Sequence, residues 1–508
     1  MEHKVNLSDA LMRWADYTPD KVALTGSGQS WTYDELRRRV RRTARLLIGE
    51  WGLNRGDRVA LLSENHPFFF ELALACLKSG IILVPLNFRL SALELNGVLE
   101  VCRPRLLVHS PLYCETATRL HWPSDPGDPE PTLRETELLE MLPCEEVPDL
   151  PMASYSTMEE PAFLLFTSGT TGKPKAAMLP TRQLFWNAVN TALVFQLTSS
   201  DSTVLYTPLF HTGAINVLAL PLLYCGGTVH VQEGFDTGRV VDTLVQQRVT
   251  TLFGVPITFQ MLADQPGFLS EARRHLRLCL CGGAPLPVSL IHRYRDEGVT
   301  LTQGFGMTEV GPNCFFLPPD DALKRAGSVG KPMPFAHARI RVGGRTAHPG
   351  EVGELELSGP HVTLGYFRNP GETSKALDDG WFKTGDLASM DADGFYFIAG
   401  RSKDMFISGG ENVYPAEVEV ALMGHPSIQE CAIVPVPDDR WGEVGFAFVV
   451  TADPSCTTAS LRSWLRGRIA GYKVPRHVLL RHEVLPRNPS GKVVKADLSK
   501  EALRHVES

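Results

Sequence analysis

The chain alternates short apolar runs with longer segments whose apolar positions repeat at helical spacing. VALLSEN (59–65), IILVPLN (81–87), LLVHS (106–110), TVLYTPL (203–209), TVHVQE (228–233) and LRLCLCGG (276–283) have the length and bounding polar residues of buried strands. FFFELALACLKSG (68–80) is long enough for a helix and closes on a glycine. Strand then helix, repeated, predicts an α/β fold: mostly parallel sheet with packed helices. After about residue 335 the texture changes. ARIRV and GELELSG read as short alternating strands, and GFYFIAGRSKD (394–404) ends a small barrel-like β region. Beyond it come a helix at 415–425, strands at 430–436 and 445–452, and a helix at 461–470. That is a compact α+β unit of roughly 100 residues. The boundary is placed at Lys403, giving a large N-terminal domain over 1–402 and a small C-terminal domain over 403–508.

Three segments need composition to be read. Thr212 to Val231 carries no acidic or strongly basic residue and is about long enough to cross a bilayer. Asn216, Pro221, Gly226 and Gly227 interrupt it, which predicts a buried helix ending at Gly226 and a strand from Thr228. Leu7, Leu11 and Trp14 lie at helical spacing and predict a surface helix, not a signal peptide. WPSDPGDPEP (122–131) is expected to be an exposed loop of variable shape.

At 508 residues the chain is too long for one hydrophobic core, and 43% apolar with 21% charged residues is ordinary for a soluble globular protein. A net charge of −7 gives no general attraction to nucleic acid or anionic membrane, so a polyanion needs a local site. Ten cysteines are scattered, and the close pair Cys279 and Cys281 is spaced CxC, not as the zinc CxxC. They read as buried thiols of a reducing compartment. The ending HVES is no peroxisomal or lipidation signal. These features predict a cytoplasmic protein without nucleic acid partner or transmembrane segment; a homodimer is left open.

Five short segments carry candidate chemistry. FTSGTTGKPK (166–175) gathers the hydroxyls of Thr167, Ser168, Thr170 and Thr171, loop amides including Gly169 and Gly172, and the cations Lys173 and Lys175. Such a nest suits a polyphosphate. It is not the P-loop pattern, because Gly169 and Gly172 are three apart and Pro174 follows Lys173. A polar turn between core strands is the plainer alternative. In QGFGMTE (303–309), Gly304 and Gly306 flank Phe305, leaving its ring free to lie against a flat ligand. Met307 leads to Thr308, a hydroxyl, and Glu309, a hard oxygen ligand suited to Mg²⁺; a bend with a solvated Glu is equally open. In WFKTGDL (381–387), Asp386 is placed to accept both hydroxyls of a ribose, although Asp turns are common. Arg401 in AGRSKD could reach ribose or phosphate, and Lys492 in PRNPSGKVVK sits among turn formers instead of in a charge run.

Together and in this order, the five segments resemble the adenylate-forming superfamily of acyl-CoA synthetases, peptide-synthetase adenylation domains and firefly luciferase. The similarity runs from WTYDELRRRV (31–40) to GKVVKADL (491–498), and is closest through YFRNPGETSKA, DGWFKTGDL and GRSKDMFISGGENVYPAEVE. Phe305 stands where the family usually has Tyr, Ala176 where Gly is common, and LPTR (179–182) replaces Leu-Thr-His. The resemblance implies two half-reactions. A carboxylate attacks the α-phosphate of ATP, with Mg²⁺, giving acyl-adenylate and pyrophosphate; a thiol, usually coenzyme A, then displaces AMP. It implies that the 166–175 loop holds the β- and γ-phosphates, that Thr308 contacts the α-phosphate, and that Glu309 binds Mg²⁺. Lys492 would bridge the acid and the α-phosphate, Asp386 and Arg401 would hold the ribose, and Phe305 with Gly282, Gly283 and Ala284 would frame adenine and part of the acyl pocket. Ser408, Gly409 and Gly410 would meet the pantetheine arm, and Trp441 would stack near the nucleotide of coenzyme A or be a plain surface aromatic. Lys403 matches the family's pivot, about which the mobile small domain would swing between half-reactions.

The acid is read from PLFHTGAINV (208–217). His211 falls at a gate position beside the reacting carboxyl. Amino-acid-activating relatives place an Asp shortly after that Phe, whereas Thr212, Gly213 and Ala214 follow here. An ammonium group in an apolar pocket without a partner is costly. The expected acid is hydrophobic, fatty or aromatic, with small residues at 213 and 214 tilting slightly to fatty. Three alternatives stand: an enzyme loading a carrier protein's pantetheine, an oxygenating light-emitting relative, and a non-catalytic binder, which would be expected to lack Lys492 or Glu309.

Overall fold

In the computed structural model the described residues are 6–125, 127, 129–136, 148–150, 157–167, 174–284, 286–401, 403–408, 411–466, 468–487 and 493–507. The apolar run after the first internal strand forms the helix Phe68–Ser79, all of it buried, and stops where Gly80 takes a φ of 70°. Burial extends to its charged residues. Glu71 is fully buried because Arg39 Nε (2.8 Å), Arg42 Nη2 (2.9 Å) and Thr43 Oγ1 (2.5 Å) converge on its carboxylate. Lys78 pairs with Asp9 and, at 2.8 Å, with Asp149.

The described strands make three sheets. One has Thr132–Glu135, Leu106–His109, Arg58–Leu62, Ile82–Pro85 and Pro161–Thr167 in parallel, with Lys175–Pro180 returning antiparallel to the last. Another has Ser202–Leu205, Thr228–Val231, Thr251–Gly254, Leu278–Cys281 and Leu301–Met307 as parallel neighbours. Its ladder continues without a break through Gly311–Phe316 into antiparallel strands ending at Tyr396–Arg401, Trp381–Met390, Gly353–Ser358 and His337–Val342. These strands share their own apolar core of Val310, Phe315, Leu355, Leu357, Phe382 and Tyr396. They are the β region expected after residue 335. The third sheet holds Phe406–Ser408, Glu411–Val413, Glu430–Asp438, Gly442–Val450 and His477–Arg481, with the helix Pro415–Met423 packed on it. Sheet membership thus changes between Arg401 and Phe406.

Thr212–Ala214, Ile215–Ala219 and Leu220–Tyr224 are helical, Gly226 takes φ 76°, and Thr228–Val231 is the strand, as expected. No described helix is long and apolar enough to cross a membrane. One expectation fails and another holds in part. The N-terminal helix Leu7–Met12 is not a surface feature: Leu7, Leu11 and Met12 are buried against the main core. Past it, the Trp14 ring lies 2.6 Å from where a Cβ on Gly226 would sit, and Trp14 Nε1 donates to Tyr224 O at 2.8 Å. No described residue of the 122–131 loop is buried, as expected of an exposed loop, but its shape is fixed at Trp122 and Asp125. Trp122 Nε1 donates to Pro104 O at 2.8 Å, and Asp125 accepts from Arg58 (2.5 Å) and Arg368. Burial pushes the Asp125 carboxyl up, but the two guanidinium groups outweigh it and hold it below the usual range.

Candidate active site

In the second of these sheets, the parallel strands end toward the same edge, where ligands gather on α/β sheets. Thr308–Val310 is a single tight turn just past Leu301–Met307. Each of its three carbonyls is held from outside. Gln183 Nε2 donates to Thr308 O (2.9 Å), Thr363 N to Glu309 O (2.7 Å), and His361 Nδ1 to Val310 O (2.5 Å). A turn with all its acceptors used is fixed in position. Glu309 is buried, and its Oε1 accepts from Tyr366 Oη at 2.9 Å. Burial and then the Glu309 charge push the Tyr366 phenol far above its usual range, so it stays protonated as a donor. The Lys175 ammonium lies 5.7 Å from the Tyr366 ring centroid and pairs with Glu372, whose carboxyl the bonds from Lys175 and then Lys375 lower to about 2.

Gly306 owes its identity to backbone. A Cβ there would lie 2.3 Å from Gly311 O and Pro312 O of the antiparallel partner. The Phe305 ring meets Phe315 edge-on at 5.8 Å, with Gly304 and Met307 beside it on the same strand. The room that the sequence assigned to ring stacking is therefore partly required by strand pairing.

Asp386 and Arg401 face each other in register on neighbouring strands. Arg401 Nε is 2.8 Å from Asp386 Oδ1, and Arg401 Nη1 donates to Thr384 O at 3.1 Å. Asp386 is buried while Arg401 is partly exposed, so a carboxylate is oriented by a guanidinium that reaches solvent. The sequence reading named both residues but not their pairing.

The apolar side of the site contains a residue that the sequence reading missed. Phe253, on Thr251–Gly254, has Cε1 3.3 Å from where a Cβ on Gly213 would be and Cε2 3.2 Å from that of Gly282. One ring edge thus faces each glycine. On the side that a Gly213 side chain would take, Phe253 already lies close, and Ala214 is buried in the main core. His211 stacks obliquely on Phe210 at 4.5 Å, and Phe210 meets Phe88 at 5.2 Å. Gly283 has φ 79° beside Val255, and Ala284 is exposed.

Thr167 pairs with Lys175 at the mouth of the hairpin; Ser168, Gly169, Thr170, Thr171, Gly172 and Lys173 lie outside the described residues. So do Gly409, Gly410 and Lys492. Ser408 is buried and opposes Gly442, whose neighbour Trp441 is 42% exposed with the Arg440 guanidinium 4.9 Å over its ring. Lys403 is exposed in the turn between the second and third sheets. Among the described candidates, Asp386 meets Arg401, Thr167 pairs with Lys175, and Tyr366 lies between Glu309 and Lys175. Gln183, His361, Thr363 and Tyr366 carry no motif of their own. Only the placement of Tyr366 and Glu372 inside YFRNPGETSKA pointed to them.

The AMP-binding enzyme family matches residues 11–367, and the AMP-binding enzyme C-terminal domain matches 417–492. Feruloyl-CoA synthase of Amycolatopsis sp. is 42% identical over 96% of this chain and 97% of its own. Indoleacetate–CoA ligase of Aromatoleum aromaticum is 35% identical, covering 97% and 98%. The structure of O-succinylbenzoate coenzyme A synthetase from Bacillus subtilis in complex with ATP and magnesium ion superposes with a TM-score of 0.85 at 30% identity, covering 96% of this chain and 98% of that one. With both halves of the family pattern matched and relatives aligned over nearly their full length, the chain belongs to the AMP-binding enzyme family and is an adenylate-forming CoA ligase.

Proposed function

We propose that this enzyme activates a hydrophobic, planar aromatic acid with ATP and transfers its acyl group to coenzyme A. The observation that carries the reading is the Phe253 ring held edge-on between Gly213 and Gly282. Such a wedge removes the depth a long alkyl chain needs and leaves an aromatic surface that favours stacking. The segment after Phe210 has no carboxylate to pair an amino group. Relatives named for ferulate and indoleacetate support the same class, whereas the slight tilt toward fatty acids finds no support.

The roles follow from charge. Acid and ATP are both anions, so the first step needs cations and oriented dipoles at the phosphates. Glu309 is a carboxylate on a clamped turn, steadied by Tyr366, and so fits a hard divalent cation. Mg²⁺ held there would offset polyphosphate charge. The 168–173 amides and hydroxyls with Lys173 and Lys175 would take the β- and γ-phosphates, Thr308 the α-phosphate, and Asp386 the ribose hydroxyls, with Arg401 orienting it. Phe305, Gly282, Gly283 and Ala284 would border the adenine, and His211 would stand beside the reacting carboxyl. Lys492 would draw the acid's carboxylate to the α-phosphorus, where the new P–O bond forms as pyrophosphate leaves. In the second step the thiol of coenzyme A would approach along Ser408, Gly409 and Gly410, near Trp441, and AMP would depart. A turn about Lys403, where sheet membership changes, would exchange the two faces of the small domain.

The test is AMP release from ATP, coenzyme A and a panel of aryl-propenoic, arylacetic, benzoic and straight-chain acids. Aromatic acids are expected to give the highest kcat/KM. A preference for long straight chains would overturn the aromatic reading, and turnover only with a carrier protein would overturn coenzyme A as acceptor.

A further inference from the structure

We propose that His109, Cys114 and Glu135 form a zinc-binding site at the Thr132–Glu135 edge of the six-stranded sheet, outside the residues assigned to catalysis. His109 ends the strand Leu106–His109 and Glu135 ends the neighbouring strand Thr132–Glu135, and the two are register partners. The chain leaves His109, turns through Pro111–Tyr113 and returns Cys114 as the first residue of the helix Cys114–Thr118. One potential ligand atom from each residue lies within 4.8 Å of the other two. Among the described residues no other group of three or more such side chains meets in this way.

Geometry and chemistry narrow the ligand. His109 is buried, and its Nδ1 is 3.0 Å from Ser110 O. A carbonyl oxygen only accepts, so Nδ1 carries the proton and Nε2 keeps the lone pair. That is the arrangement in which a backbone carbonyl orients a ligating imidazole. Cys114 is exposed and Glu135 half-buried, so a cation can reach both from solvent. One imidazole, one thiolate and one carboxylate suit zinc, while Mg²⁺ and Ca²⁺ prefer oxygen alone. Tetrahedral zinc needs its ligand atoms roughly 3.5 Å apart, so binding would draw the three in from their separation of within 4.8 Å. Three protein ligands leave the fourth position to water. Occupied, the site would tie the edge strand Thr132–Glu135 to the turn at 110–114, closing a sheet edge that otherwise ends in a single ladder.

The full-length protein, stripped of metal, would be titrated with Co²⁺ and then with Zn²⁺. About one equivalent of cobalt should bind with a thiolate-to-metal charge-transfer band, and zinc should displace it. Cys114→Ser, at an exposed position, should fold normally, keep its ligase turnover, lose the band and bind zinc about 100-fold more weakly. Glu135→Gln should weaken zinc but keep the band. Zinc should raise the thermal midpoint of the native protein and leave that of Cys114→Ser unchanged. No thiolate band in the native protein, or equal zinc affinity in native and Cys114→Ser chains, would overturn the proposal.

Discussion

The polar and apolar halves of the candidate site are built on different terms. Around Glu309 and Asp386 the described charged groups have partners before any substrate is considered: Tyr366 on Glu309, Glu372 on Lys175, Arg401 on Asp386. Around Phe253 there is only shape, a ring edge against two glycines. The polar half is specified by which atoms are present, the apolar half by which atoms are missing. Chemistry common to all substrates belongs in the first, and choice among acids in the second.

Glu309→Gln tests the polar half hardest. Gln keeps size and can still accept from Tyr366, but the charge is gone. ATP–pyrophosphate exchange should fall about 1000-fold for every acid alike, with the thermal midpoint little changed. Near-normal exchange would remove Glu309 from the reaction. Phe253→Ala tests the apolar half. For the preferred aromatic acid kcat/KM should drop about 30-fold, near 2 kcal/mol, while the KM for ATP holds and longer straight-chain acids improve. If the ATP KM moved as much, the two halves would not be separable.

Tyr366→Phe refines the comparison, because it removes one donor to Glu309 and little volume. Exchange should slow about tenfold, the worth of a hydrogen bond to a charged acceptor. No change would mean that the carboxylate is positioned without this bond. The smallest effect concerns acid. Glu372 has its carboxyl at about 2 in the folded chain against an ordinary 4.5, so its pairing with Lys175 stabilises fully above pH 4.5 and is lost as pH falls toward 2. In Glu372→Gln the thermal midpoint should decline less steeply over that interval. Phe253→Ala should leave the slope as it is, which a midpoint series against pH would check.

The same contrast explains what the sequence disclosed. Glu309, Asp386 and Arg401 stand out because the five segments that hold them occur together and in order, although each alone could be a plain turn. Phe253 does not, since one phenylalanine in an apolar strand looks like core. Nor do Gln183 and His361, which act on carbonyls 125 and 51 residues away in the chain. Strands buried on both sides were legible from apolar runs of the right length. Helical spacing at Leu7, Leu11 and Trp14 revealed an apolar face but not what covers it, and so suggested a surface helix. The Pro- and Asp-rich loop at 122–131 looked unanchored because the partners of Trp122 and Asp125 lie at 104, 58 and 368.

The contact of Trp14 with Gly226 has a bearing on how this chain can be recombined with others. Position 226 admits no side chain while the indole is there, and the indole is held by Tyr224 O. The Leu7–Tyr17 segment and the 224–227 turn are therefore a single heritable unit, although some 200 residues separate them. A chimera that imports one without the other would join a bulky ring to an occupied position, or a glycine to an unfilled gap. Crossovers should be placed so that both ends of this pair come from the same parent.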